Sequence, residues 1–132
     1  MPRNNADFGY GRGHVPTPEG APLHDLTQVY PADVYTHPRH YSHDLEMPSH
    51  KLALKYQGKP DSMVTIYRAV PKHIDTINPG DWVSIDRNYA KMHAEGNMGD
   101  SGKGAKVISM TVPARHIRNP GDSMAEWGYF PD

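Results

Sequence analysis

Four residues stand out for what their side chains could do. Arg68 closes "MVTIYRA", part of a run over 63–71 that is rich in β-branched and aromatic residues and reads as a buried strand. Arginine is rarely buried without a partner. Arg68 therefore calls either for a carboxylate of the chain or for an anionic ligand, and its planar fork of donors suits both. Ser84 follows in "GDWVSID", with Tyr89 at the start of the next segment. Glu126 lies in "GDSMAEWGY" beside Trp127. A fixed carboxylate facing a centre where positive charge develops is an electrostatic catalyst. Each residue also has a plain structural role open to it. Arg68 can pair with Asp81 or Glu126, Ser84 can be an ordinary strand serine, Tyr89 can be core, and Glu126 can be a surface acid.

A second candidate group is "HPRHYSH", which carries His37, His40 and His43. Three-residue spacing brings imidazoles together on a helix, and imidazole suits zinc, nickel or copper. Pro38 disturbs such a helix, and no HExxH pattern accompanies it. The metal-binding alternative rests on these three, with His24 and His50 as further ligands, while the main reading expects no metal.

The elements that must position these residues are legible in part. Residues 1–20, polar and glycine-rich at their start, read as a flexible N-terminus. Residues 1–50 hold seven of the thirteen prolines and six of the nine histidines. Within them, 21–43 carry enough leucine, valine and tyrosine to pack as an irregular arm with one short helix. "SHKLALKYQGKP" reads as a helix capped by Ser49 and stopped by Gly58 and Pro60. Strands are expected over 63–69 and 81–85. "RNYAKMHAEG" is a helix with Asp86 as N-cap and Gly96 as its stop. "NMGDSGKG" (97–104) reads as a mobile surface loop, "AKVISMTVP" as the clearest strand, "ARHI" as a turn, and "SMAEWGYF" as a last strand. The expected class is α+β: a small split mixed or antiparallel sheet with packed helices, in one domain over 21–132.

Composition narrows the function. The chain has 132 residues, with 14 basic against 15 acidic side chains, so a general phosphate grip on nucleic acid is not indicated. No apolar run approaches membrane-spanning length, so no membrane partner is expected. There is no cysteine, which fits a reducing compartment and a cytoplasmic location.

Taken in order, "YRA", "GDWVSIDRNYA" and "GDSMAEWGY" resemble the Arg–Ser–Glu branch of the ADP-ribosyltransferase superfamily. The likeness is nearest to the ADP-ribosyltransferase-like domains of phage head-morphogenesis and polyvalent proteins. It covers about residues 60–130, and weakly "GAPLHDLTQVYP". The resemblance implies NAD as substrate, transfer of ADP-ribose to an unknown macromolecular or small-molecule acceptor, and a toxin- or effector-like role in a bacterial host cell or with a virion. It also implies roles for residues. Arg68 contacts a phosphate or ribose oxygen, the backbone of Ala69 meets the nicotinamide amide, and Ser84 hydrogen-bonds near the nicotinamide ribose. Tyr89 stacks on the nicotinamide ring. Glu126 binds the ribose 2′-hydroxyl and stabilises the oxocarbenium-like charge. Relatives that modify arginine carry Gln or Glu two residues before the catalytic acid, and here that position is Met124. Methionine cannot hold a guanidinium, so Met124 and Asp122 mark the candidate acceptor side, and arginine is not the expected acceptor. The same departure fits an inert structural, inhibitor or interaction protein on this fold.

Overall fold

The computed structural model describes residues 16–95 and 105–132. Along these the regular elements are β1 (Ala21–Pro22), α1 (Met47–Leu54), β2 (Met63–Pro71), β3 (Trp82–Val83), α2 (Arg87–His93), β4 (Ala105–Pro113), β5 (Ile117–Asn119) and β6 (Trp127–Tyr129). Single turns of 3-10 helix at Leu26–Gln28, Ala32–Val34, Pro38–His40 and Ala114–His116 link them. The class is α+β, as expected. Every strand pairing is antiparallel among the described residues, so the sheet is not mixed.

The strands expected from "MVTIYRA" and "AKVISMTVP" form the longest ladder. β2 and β4 pair over nine residues, from Met63 opposite Pro113 to Pro71 opposite Ala105. Val64 and Ile66 of β2 face inward with Val112 of β4, where β-branched side chains pack well on a pleated surface. The other sheet runs β1-β5-β6-β3. The two sheets meet at a bridge between Tyr67 and Ser84, whose backbone amides and carbonyls exchange two hydrogen bonds of 2.8 Å. The main core lies beneath this junction and joins Val64, Ile66, Val83, Ile85, Ile117 and Trp127 to Leu23 and Leu26 of the arm. Each such side chain contributes roughly 1.5–3 kcal/mol on burial.

The arm belongs to the sheet rather than lying over it. β1 pairs with β5, and the Leu23 amide donates to the Ile117 carbonyl at 3.0 Å. Residues 16–20, expected to be loose, are packed at both ends: Pro16 and Gly20 are buried. A Cβ on Gly20 would stand 2.5 Å from the Asn119 carbonyl oxygen, so only glycine allows this approach. The rest of the expected flexible N-terminus, 1–15, lies outside the described residues.

Helix α2 starts as its sequence indicates, with an Asp86 carboxylate oxygen accepting from the Asn88 amide at 3.1 Å. Its expected stop at Gly96 and the 97–104 loop fall outside the described residues. Helix α1 differs from expectation. Glu46, not Ser49, is its N-cap, and Pro48 occupies the first turn, where a missing N–H costs nothing. Ser49 is instead fully buried within the helix. No helix among the described residues is long and apolar enough to cross a membrane.

Candidate active site at the junction of the two sheets

Three of the sequence-derived residues converge beside the bridge. Val83 pairs with Trp127 across β3 and β6, and Ser84 and Glu126 are the chain neighbours of that pair. The Ser84 hydroxyl donates to the Asp86 carbonyl at 2.8 Å and accepts from the Asp86 amide at 3.0 Å. Ser84 is fully buried, so its bonds shape the turn that launches α2. One turn into that helix, the Tyr89 phenol donates to Glu126 Oε2 at 2.7 Å. The Tyr89 ring packs with Trp82 and Ala125, and His93 meets it edge-on with ring centroids 4.7 Å apart. Burial pulls the His93 imidazole below the ordinary histidine range. Tyr89 is thus tied to the acid itself, a contact that the stacking role does not include.

The chain segment bearing Glu126 is held on several sides. The Asn119 side-chain amide donates to the Ser123 carbonyl at 2.8 Å, and the Ser123 hydroxyl accepts from the Ala125 amide at 3.1 Å. The Trp127 indole donates to the Met124 carbonyl at 2.8 Å.

Arg68 sits one residue from the bridge, with its side chain only 2% exposed. Its Nη1 donates to the Trp82 carbonyl at 2.7 Å, and its Nε lies 3.7 Å from Asp81 Oδ2. Asp81, one of the two carboxylate partners open to Arg68 in sequence, accompanies it. Asp81 is equally buried and also accepts from the Asn78 amide at 2.8 Å, which closes the turn before β3. The pair opens on a cleft of about 340 Å³ lined also by Val70, His73, Thr76 and Asn78. That volume is at the lower end for small-molecule sites, enough for part of a dinucleotide. Ser84, Tyr89 and Glu126 do not line this cleft.

The remaining candidates separate. Ala69 is fully buried against Ala94, with Ala105 and Val107 beside it. Asp122 is exposed. Met124 is not available to an acceptor: it is 1% exposed and packs into the main core. Trp82 and Asn119 are structurally central and went unassigned in sequence; for Asn119 the reason is that polar burial leaves no periodic mark.

The histidines of the arm do not converge. The His37 and His40 rings stack with centroids 5.1 Å apart and planes 13° from parallel. His43 turns to Glu46 at 3.6 Å. His50 is fully buried, with Nε2 donating to the Val34 carbonyl at 2.9 Å and Nδ1 accepting from the Ser42 hydroxyl at 2.7 Å. Among the described residues no three His, Cys, Asp or Glu side chains are grouped to hold a metal ion. Comparisons of the chain with protein-family models, with curated proteins and with solved structures gave no match.

Proposed function

We propose that the protein is a mono-ADP-ribosyltransferase-like enzyme that breaks the bond between nicotinamide and ribose in NAD. The reading is supported by the convergence of Ser84, Tyr89 and Glu126 where a split antiparallel sheet is joined by one bridge. In this mechanism the C1′–N bond breaks, neutral nicotinamide leaves with the electron pair, and the ribose takes on oxocarbenium character. The Glu126 carboxylate stabilises that charge more than it stabilises bound NAD, which lowers the barrier. An acceptor then adds at C1′ and loses its proton. The leaving group is already cationic, so no general acid is needed, unlike ordinary glycoside hydrolysis. Arg68 lines the neighbouring cleft, where one edge of its guanidinium would meet a phosphate or ribose oxygen.

The buried Met124 bears on the acceptor. The position two residues before the acid is spent on core packing, which favours water or a non-arginine group. It equally favours the second reading, an inert structural or inhibitor protein on this fold. One experiment separates them: incubation with NAD, with and without cell lysate, followed by nicotinamide release and intact-mass measurement. Glu126→Gln should leave NAD affinity nearly unchanged and cut nicotinamide release about 10²–10³-fold, the scale of one lost preorganised electrostatic contact. Wild-type protein no faster than Glu126→Gln would favour the inert reading.

A further inference from the structure

We infer that Tyr89 is the positioning residue of Glu126, holding its carboxylate in one orientation toward the reacting centre, and is not a stacking surface for the nicotinamide ring. This rests on the function proposed above and assigns a residue to it. The phenol–carboxylate contact of 2.7 Å is a charge-assisted hydrogen bond of the strong, short kind. Tyr89 itself has little freedom. It is 8% exposed, with its ring enclosed by Trp82, Ala125 and the edge-on His93, so little of its face is left for a ligand.

The helix that carries Tyr89 is fixed independently of Glu126. Asp86 caps it, and the Ser84 hydroxyl grips both the amide and the carbonyl of Asp86. Position therefore passes from the bridge, through Ser84 and the cap, to the phenol and on to the acid. Burial lowers the His93 imidazole's pKa, which disfavours a cation beside the phenol. A glutamate has three rotatable bonds, and displacing a catalytic group by an ångström can cost about 100-fold in rate. A rigid donor on the carboxylate removes that loss.

The test is a cycle of Tyr89→Phe, Glu126→Gln and the double variant, with nicotinamide release and NAD affinity measured well below each variant's melting temperature. Tyr89→Phe should lower kcat about 10- to 100-fold with NAD affinity within about twofold. In the Glu126→Gln background the same change should alter the rate by less than about twofold, because Tyr89 acts only through the carboxylate. A merely structural tyrosine would lower the rate in both backgrounds alike, and a stacking tyrosine would lose NAD affinity with kcat retained. Either outcome overturns the inference, as does an active wild type matched by Tyr89→Phe. Wild-type protein no faster than Glu126→Gln overturns the proposed function, and the inference falls with it.

Discussion

Removing the Arg68 side chain tests how this junction is held together. Both members of the Arg68–Asp81 pair are 2% exposed, so solvent screens neither. Arg68→Ala leaves the Asp81 charge in place and withdraws the guanidinium 3.7 Å away, along with the 2.7 Å bond to the Trp82 carbonyl. Breaking a buried pair on one side costs about 3–5 kcal/mol, because a charge stays behind in a poorly solvated site. In a domain of this size that is roughly a 10–20 °C fall in Tm. Arg68→Met with Asp81→Asn removes both charges, and asparagine retains an oxygen for the Asn78 amide. The double variant should recover about half of the loss, since the pair's desolvation cost also disappears. Thermal and urea unfolding without ligand measure both effects. Arg68→Ala within about 3 °C of wild type, or a double variant worse than the single one, would refute the reasoning. A large loss makes Arg68 a structural residue first, whatever it also contributes to a ligand.

Two other perturbations probe the arm. Burial holds the His50 imidazole below the ordinary histidine range, outweighing the opposing pull of the Val34 carbonyl and Glu46. Its folded pKa is depressed, so the unfolded chain takes up the proton first as pH falls. The stabilisation is complete above about pH 6.5 and declines below it by up to ~1.4 kcal/mol per pH unit, and a His50→Gln variant should show a flatter profile between about pH 7 and 5 in urea unfolding. Gly20→Ala should cost about 1–3 kcal/mol, because its Cβ would sit 2.5 Å from the Asn119 carbonyl oxygen. Gly58→Ala, at φ +72 with nothing within 4 Å, should cost only the backbone strain of about 1 kcal/mol; equal losses in the two would contradict this account.

How far the sequence reveals this fold depends on how local each signal is. β2, β4 and α2 were legible because a β-branched and aromatic run, a period of two, and an aspartate cap are each written within ten residues. The start of α1 was misplaced at Ser49 because a serine cap and a first-turn proline are competing local signals, and Pro48 prevails. β1 and β5 were invisible. Two or three residues carry no periodicity, and their pairing of Ala21 with Asn119 spans nearly the whole chain. The site follows the same logic. Arg68, Ser84 and Glu126 could be singled out by residue type, and Asp81 was one of two partners named for Arg68, but the Tyr89–Glu126 bond depends on packing between distant segments.

Asn119 joins those distant segments and explains why the arm matters to the acid. Its Oδ1 accepts from the Tyr30 phenol at 2.9 Å and from the Gly121 amide at 2.7 Å, while its Nδ2 donates to the Ser123 carbonyl. It is fully buried, so these bonds replace water that it has lost. Its backbone pairs with Ala21, at the start of the arm. The same residue thus fastens the arm at one end and shapes the turn that delivers Glu126 at the other. Tyr89 grips the acid from α2, and Asn119 braces the segment that carries it. Through Asn119 the proline-rich arm thus contributes to the placing of the segment that carries Glu126.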